Sequence, residues 1–303
     1  MPNLVLTYLC NNQCPYCFAE SRQERHQFSL EQVRHLVPLL KQVNSGGVNL
    51  VGGEPTLNRS FLPILELLLT EGLQVNIFTG GRIPPGLLDS LQLIQEGSFT
   101  FCVNRSTGPI AAETIRLYHK MGYRVHLAAT VFQSDQSLHH LLDEITAYNL
   151  ERHYRLGLAL PVWPDRRNTH LDPTEYRVLA AHLFEFIRTG VDSGIRPLFD
   201  CGFPYCFFDA EQRKFFQDNG IDFSSHCGPI PDFCPDSSAI PCFPLRDLGV
   251  AVAQLTRWDE LKAALEGRLT RVRERGIFAR CTGCRELLEG KCSGGCAALK
   301  TMS

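Results

Sequence analysis

The sequence lacks any long apolar run and any dense block of basic residues. Nowhere in its 303 residues is there a stretch of about 20 apolar residues, the length that a membrane-spanning helix needs. The N-terminus has no basic region followed by an apolar core, which a signal peptide would require. The formal net charge is −2, so nothing favours nucleic acid or an anionic membrane as a partner. We therefore expect a cytoplasmic protein that binds neither nucleic acid nor membranes.

The rest of the composition is that of a soluble globular enzyme, with one exception. Hydrophobic residues make up 44% of the chain and charged residues 20%, which is enough to bury a sizeable core. The exception is cysteine, with 13 residues. Because thiols stay reduced in the cytosol, this number predicts ligands of metals or iron–sulfur clusters rather than disulfides.

The first two-thirds of the chain alternates between strand and helix patterns. Short runs of branched and aromatic residues predict strands at 3–9, 47–52, 73–79, 98–104, 123–132 and 154–161. Helical patterns lie between them at about 30–43, 61–71, 85–96, 112–121 and 138–148, the first opened by a capping box of Ser29 and Gln32. Such alternation predicts an α/β fold built from parallel βα units.

The composition changes sharply near residue 200. Residues 162–200 show only one further helical pattern, from Glu175 to about Thr189. Beyond them, nine of the 13 cysteines fall in the last 103 residues, among proline and glycine turns. We predict a core domain over residues 1–200 and a small cysteine-rich domain over residues 201–303.

Three cysteines directly follow the first strand candidate, as Cys10-x3-Cys14-x2-Cys17. A structural zinc site takes four ligands, and an ordinary cubane iron–sulfur cluster takes four cysteines. Three thiolates on one short loop therefore favour a cluster with one iron left open for another ligand. A partial zinc site or three buried thiols are the alternatives.

A second motif, Gly52-Gly53-Glu54-Pro55, follows the second strand candidate. Glycines let the backbone approach another group closely, and a carboxylate with exposed carbonyls can accept hydrogen bonds from an ammonium group. By itself, the motif is equally compatible with an ordinary turn from strand to helix. Thr79 and Asn104 end the next two strand candidates, where they are either polar contacts of a ligand or ordinary turn residues.

With these motifs in this order, the chain resembles the radical S-adenosylmethionine (radical SAM) superfamily. The resemblance implies an incomplete (β/α)6 barrel with its ligand site at the carboxyl ends of the strands. Cys10, Cys14 and Cys17 would hold a [4Fe–4S] cluster whose open iron binds S-adenosylmethionine (SAM). In that family, reduction cleaves SAM to a 5′-deoxyadenosyl radical, which abstracts hydrogen from a substrate.

The same resemblance implies which further residues contact SAM. Tyr16, directly before the third cysteine, would pack on the adenine. The motif from Gly52 to Pro55 would bind the methionyl ammonium, with Gly53 and Glu54 orienting it. Thr79 and Asn104 would contact the SAM carboxylate or ribose. No residue of the sequence is identified as a general base.

The C-terminal cysteines include the dense block Cys281-x2-Cys284-x7-Cys292-x3-Cys296. Spacing alone fits either a pair of iron–sulfur clusters or a zinc ribbon. Together with the upstream cysteines, the region resembles the SPASM extension of radical SAM enzymes. It departs from that pattern in having seven rather than five residues before Cys292, Ser237 in place of a glycine, and no cysteine after Cys296.

The SPASM resemblance implies one or two auxiliary [4Fe–4S] clusters. The first would be held by Cys227, Cys242 and Cys296, with Cys206 as the candidate upstream ligand. The second would be held by Cys281, Cys284 and Cys292. Its fourth ligand would be Cys234, Cys201 or a residue other than cysteine. Alternatively, its fourth iron would have no protein ligand.

SPASM enzymes act mainly on peptides and proteins, so the first hypothesis is an oxidoreductase or maturase that oxidatively modifies a ribosomally made peptide. The second is a radical SAM enzyme that acts on a small molecule, such as a dehydrogenase of an amino sugar or alcohol. The third is a metal-binding interaction protein without catalysis. An electron donor of the flavodoxin or ferredoxin type is the expected partner. Because the first strand begins at about residue 3, we expect either that a separate protein recognises a leader or that the substrate has none.

Overall fold

The fold is taken from a computed structural model, which describes residues 1–19, 26–95, 97–106, 110–162, 168–228, 230–252 and 255–300. Over these ranges, seven parallel strands lie side by side in the order of the chain. They are β1 (Asn3–Thr7), β2 (Gly47–Gly52), β3 (Gln74–Thr79), β4 (Phe99–Asn104), β5 (Arg124–Val131), β6 (His153–Leu158) and β7 (Arg196–Phe199).

Helices connect successive strands of this sheet. They are α1 (Leu30–Leu40), α2 (Phe61–Thr70), α3 (Pro85–Leu91), α4 (Ile110–Lys120), α5 (His139–Ala147) and α6 (Tyr176–Asp192). The capping box at the start of α1 is present, because the Ser29 hydroxyl accepts from the Gln32 amide and the Gln32 side chain accepts from the Ser29 amide. The predicted α/β fold of parallel βα units is therefore confirmed.

The two faces of the sheet differ in chemistry. The face toward the helices is apolar: Leu50, Ile77 and Phe101 are fully buried there. On the opposite, inner face, Asn3, Asn49 and Asn76 occupy neighbouring strands. Their side chains form a row of hydrogen bonds, Asn76 to Asn49 at 3.0 Å and Asn49 to Asn3 at 2.8 Å. A row of satisfied amides allows polar side chains to line the inner face at little energetic cost.

The strand β7 was not predicted from the sequence. It has four residues, begins with Arg196 and contains Pro197. A run of four residues is too short to show a strand period in the sequence, and Pro197 argues against a strand on local grounds. It pairs with β6 because α6 returns the chain to that edge of the sheet.

The cysteine-rich region continues the same sheet. Its strands are β8 (Asp232–Phe233), which pairs parallel to β1, then β9 (Ser238–Ile240) and β10 (Val250–Ala251); its helices are α7 (Ala210–Asp218), α8 (Trp258–Arg273), α9 (Arg285–Leu288) and α10 (Ala297–Lys300). Buried residues of α8, such as Leu261 and Leu265, join the main apolar core.

The domain boundary near residue 200 stays a prediction. Among the described helices, none has the length and apolar character needed to cross a membrane.

Two histidines of the inner face are in contact. The Nδ1 atom of His126 in β5 lies 3.3 Å from Nε2 of His153 at the start of β6. Desolvation, together with the neighbouring His153, lowers the pKa of His126 to about 4. The folded chain therefore holds this ring neutral where an unfolded chain would protonate it.

This pair predicts acid sensitivity. An unfolded histidine binds a proton near pH 6.5, whereas folded His126 does so only near pH 4, so stability is lost as the pH falls through this window. Between pH 7 and pH 5, we expect the unfolding free energy of the native protein to fall by about 1 kcal/mol more than that of a His126→Gln variant. Urea denaturation at both pH values measures this. The same fall in both proteins would contradict the prediction, and the exposed His119→Gln is the matched control.

Candidate SAM and iron–sulfur sites

The three N-terminal cysteines lie on the loop that follows β1. The chain turns there, with the Cys17 amide donating to the Cys14 carbonyl at 3.0 Å. Backbone amides also face two of the sulfurs: Asn12 donates to Cys10 Sγ and Ala19 donates to Cys17 Sγ, each at 3.3 Å. Cys10 is exposed, and Cys14 and Cys17 are half-buried. The loop thus presents its thiols at the carboxyl end of the strand.

The electrostatics of Cys10 show that these groups are neighbours. Partial desolvation raises the pKa of its thiol most, and the nearby Glu54 carboxyl and the Cys14 and Cys17 thiols raise it further, whereas the Asn12 amide lowers it. Several groups that become negative therefore face one another. Such a donor set suits a cationic metal centre, because bound metal stabilises the thiolate form.

The Gly52-to-Pro55 motif lies directly against this loop. The amide of Gly53 donates to the Thr7 carbonyl, and the amide of Glu54 donates to the Leu9 carbonyl, both at 2.8 Å. A Cβ atom at residue 53 would lie only 2.3 Å from the Leu9 carbonyl oxygen. Glycine is required here because the two segments touch through their backbones.

Glu54 is fully buried and holds the strand ends together. One carboxylate oxygen accepts from the Thr56 hydroxyl at 2.7 Å and from the Thr56 amide at 3.3 Å. The other accepts from the Thr79 hydroxyl at 2.8 Å and the Gly80 amide at 3.0 Å. Burial raises the pKa of Glu54, although all four donors lower it. These donors are neutral, so a cation bound nearby would offset the cost of the buried charge.

Tyr16 and Asn104 form a second polar contact of the site. The Tyr16 hydroxyl donates to Asn104 Oδ1 at 2.9 Å, and the same oxygen accepts from the amide and hydroxyl of Ser106. The Tyr16 ring stacks on Phe132, with centroids 5.0 Å apart. Phe132 was not predicted from the sequence, although its position as an aromatic residue directly after β5 could have indicated it. The expected contact of Tyr16 with adenine stays a prediction.

The cysteine loop is also joined to the loop that follows β3. Asn11 donates to the Arg82 carbonyl at 2.7 Å, and Arg82 donates to the Asn11 carbonyl at 3.0 Å. The Asn12 side chain fills the space beside Gly80, where a Cβ atom would lie 2.0 Å from its amide nitrogen. The first three strands therefore contribute adjoining loops to one site.

Four C-terminal cysteines lie within electrostatic range of one another: Cys201, Cys227, Cys242 and Cys296. Burial raises the pKa of Cys242 and Cys296 strongly, and the thiols of Cys201 and Cys227 raise both further. Cys201 is exposed as a whole residue, yet desolvation of its sulfur raises its pKa to about 12, with Asp200 and Cys227 contributing. Thiols held protonated in this way would be deprotonated on binding metal.

The remaining C-terminal cysteines occupy different surroundings. Cys281, Cys284 and Cys292 lie around the short helix α9, and Cys284 donates its amide to the Cys281 carbonyl at 3.1 Å. The exposed Cys206 accepts from the Arg280 guanidinium. Cys234 is fully buried in an apolar cluster with Val5 and Phe243.

No three His, Cys, Asp or Glu side chains in the described ranges are close enough together to hold a single metal ion. A cubane cluster makes a different demand, because each thiolate binds a different iron atom and the ligands are spread more widely. The donor sets at both ends of the chain, with their neighbouring thiols, fit such clusters in number and chemistry. The individual ligands stay predictions.

Comparison with known proteins agrees with this site. Residues 4–145 match the model of the radical SAM superfamily, which confirms the resemblance inferred from the motifs of this region. That family uses a [4Fe–4S] cluster and SAM, in agreement with the expected cofactors. Over 84 residues the chain is 36% identical to the S-adenosylmethionine-dependent nucleotide dehydratase of Selenomonas ruminantium; the match covers 27% of this chain and 30% of that protein.

Two solved structures share the fold over almost the whole chain. The first is Streptococcus suis SuiB bound to the precursor peptide SuiA, with a TM-score of 0.68 and 15% identity over 98% of this chain and 71% of SuiB. The second is anSMEcpe with bound AdoMet and the Kp18Cys peptide, with a TM-score of 0.66 and 18% identity over 98% of this chain and 89% of that one. The shared fold thus includes the cysteine-rich region.

The close contact at Gly53 generates a test of the site. In a Gly53→Ala variant the new methyl group would overlap the Leu9 carbonyl, so residues 52–54 must move away from the cysteine loop. We expect a loss of about 2 kcal/mol in unfolding free energy, together with weaker SAM binding in equilibrium dialysis. Gly86→Ala is the matched control, because Gly86 has open space around its Cα. Equal stability and SAM affinity in both variants would contradict this account of the site.

Proposed function

We propose that this protein is a radical SAM enzyme that oxidatively modifies a side chain of a ribosomally made peptide or protein. The observation that carries the proposal is the site at the carboxyl ends of β1 to β3. There, three cysteines on one loop lie beside a buried carboxylate with neutral donors. This combination provides ligands for a cluster and a counter-charge for an ammonium group at the same edge of the sheet.

Individual residues have distinct parts in this proposal. Cys10, Cys14 and Cys17 hold the cluster, and Gly53 lets the backbone approach it. Glu54 orients the SAM ammonium, with its position set by Thr56 and Thr79. When bound, the cluster and SAM supply a 5′-deoxyadenosyl radical that abstracts hydrogen from the substrate.

The inner face of the sheet offers contacts for a polar substrate. Arg155 in β6 forms an ion pair with Asp200, which directly follows β7. The Arg155 guanidinium also lies over the Phe78 ring, 5.3 Å from its centroid. Both charged side chains are about one-third exposed, so they can reach a substrate on this face. Asp200 also adjoins Cys201, one of the four neighbouring thiols of the cysteine-rich region.

Peptides are the proposed substrate class because both of the solved structures compared above contain a bound peptide. A small molecule is the second candidate. It is favoured by the segment with the higher sequence identity, which matches a nucleotide dehydratase at 36%. In either case we propose that the cysteine-rich region carries auxiliary clusters that accept the electron left after hydrogen abstraction. A flavodoxin or ferredoxin would supply the electron that reduces the SAM-binding cluster.

The first test is radical formation. We expect anaerobically reconstituted protein, incubated with SAM and dithionite, to produce 5′-deoxyadenosine, which mass spectrometry quantifies. A variant with alanine at Cys10, Cys14 and Cys17 should produce none. Cys102→Ala, which removes a buried thiol from β4, should retain the activity. Protein with its full iron content that forms no deoxyadenosine would refute the enzymatic function.

The second test separates the substrate classes. Deoxyadenosine formation should rise when a short peptide encoded beside the gene is added, and the peptide should lose mass corresponding to the removed hydrogens. Nucleoside triphosphates are the comparison. Stimulation by a nucleotide alone, with the peptide unchanged in mass, would replace the peptide proposal with the small-molecule one.

A further inference from the structure

The turn that carries two of the N-terminal cysteines is held by a distant part of the chain. Within this turn, Cys14–Cys17, the backbone carbonyls of Pro15 and Tyr16 both accept hydrogen bonds from the segment that follows β6. The Thr169 amide donates to the Pro15 carbonyl at 2.7 Å, and the Asn168 side chain donates to the Tyr16 carbonyl at 3.3 Å. The turn is therefore tied to a side chain 152 positions from Tyr16 along the chain.

Asn168 uses both ends of its side-chain amide for this connection. The residue is buried, with 8% of its surface exposed. Its amide oxygen accepts from the Val162 amide at 3.1 Å, and its amide nitrogen donates to the Leu160 carbonyl at 2.8 Å as well as to Tyr16. A buried asparagine paired in this way keeps one orientation, because any other would leave polar groups without hydrogen bonds. Asn168 therefore fixes the cysteine turn relative to the residues that follow β6.

This connection joins strands that are not neighbours. Four strands, β2 to β5, separate β1 from β6 in the sheet, and in a flat sheet β1 and β6 would lie about 24 Å apart. The loops that follow them touch because the sheet curves, as it does in a barrel. Asn168 also lies beyond residues 4–145, the part of the chain that matches the superfamily model. Support for the cysteine loop thus comes from outside the matched region.

Tyr16 shows what the turn positions. The cysteines at the two ends of the turn are proposed cluster ligands, and Tyr16 lies between them. Its hydroxyl donates to Asn104 at the end of β4, its ring stacks on Phe132 directly after β5, and its carbonyl accepts from Asn168 after β6. Loss of the last contact would free the backbone of the turn while the ring stays held. The cluster ligands would then shift relative to Glu54 and Tyr16.

We propose that Asn168 is a positioning residue of the SAM site, which holds the Cys14–Cys17 turn where the cluster and SAM bind together. It acts through the Tyr16 carbonyl. This inference rests on the SAM-binding cluster of the proposed function. Residues that orient metal ligands through hydrogen bonds typically contribute about 10-fold to 100-fold to metal affinity or activity. We expect loss of this contact to weaken SAM binding about tenfold, with the three cluster cysteines still in place.

The test measures SAM binding and the spectrum of the cluster rather than turnover. For anaerobically reconstituted Asn168→Ala, equilibrium dialysis should give a SAM dissociation constant about tenfold above that of the native protein. The change that SAM causes in the electron paramagnetic resonance spectrum of the dithionite-reduced protein should also be altered, since SAM binds directly to this cluster. The iron content should stay the same. Native SAM affinity together with a native spectral response would overturn the proposal.

A second variant, Asn168→Asp, separates the contact from the packing. Aspartate has nearly the same shape and can still accept from the Val162 amide, but its carboxylate cannot donate to the carbonyls of Leu160 and Tyr16. We expect Asn168→Asp to weaken SAM binding at least as much as Asn168→Ala does. Recovery of native SAM binding in Asn168→Asp would show that the filled space matters rather than the donated hydrogen bond, and the proposal would be wrong.

Leu183→Ala is the control for a general loss of stability. Leu183 is buried in α6 within the apolar core, so its truncation destabilises the fold without removing a contact of the cysteine turn. Urea denaturation compares the stabilities of the variants. Leu183→Ala should bind SAM as the native protein does, and an equal loss of SAM affinity in this control would overturn the proposal.

The same measurements separate this inference from the proposed function. Native protein that binds SAM but forms no deoxyadenosine would refute the enzymatic function alone, because the dissociation constants of the Asn168 variants would still decide the role of this residue. Native protein with its full iron content that binds no SAM would overturn both.

Discussion

The candidate site depends on one close backbone contact, between the residues after β1 and the Gly52-to-Pro55 motif after β2. Parallel pairing brings these segments to the same edge of the sheet, and the amides of Gly53 and Glu54 then donate to carbonyls of Thr7 and Leu9. Since a side chain at residue 53 would overlap the Leu9 carbonyl, this contact is possible only with glycine. It sets where the cysteine loop begins and where the Glu54 carboxylate is buried.

Glu54 extends this contact to the third strand. Its carboxylate accepts from Thr79, which ends β3, and from Gly80, which follows it, while Arg82 holds the cysteine loop from the other side. A buried carboxylate is costly unless its oxygens are satisfied. Four neutral donors satisfy them here, and the charge itself is left for a cationic ligand to balance. The strand ends therefore depend on this side chain for their stability, and under the proposed function the SAM ammonium group would be recognised by it as well.

The cysteine-rich region is built on the same sheet rather than apart from it. β8 pairs with β1, and the thiol of Cys242, which follows β9, lies near the thiol of Cys201, which follows β7. A cluster held there would adjoin the ion pair of Arg155 and Asp200 on the inner face. Under the proposed function, electron transfer and substrate binding would then take place beside each other.

The sequence by itself determined the local elements and the chemical type of the first site. Strand and helix periods, the capping box at Ser29 and the spacing of Cys10, Cys14 and Cys17 are local signals, because each depends on residues a few positions apart. The tertiary structure decided features that the spacing of residues along the sequence does not encode. These are the short strand β7, the stacking of Phe132 on Tyr16, and the surroundings of each C-terminal cysteine. Cys201 and Cys206 are only five positions apart, and the sequence gives no reason to expect different surroundings. Distant segments make them different, because the Arg280 side chain contacts the sulfur of Cys206 whereas Cys227 lies near Cys201.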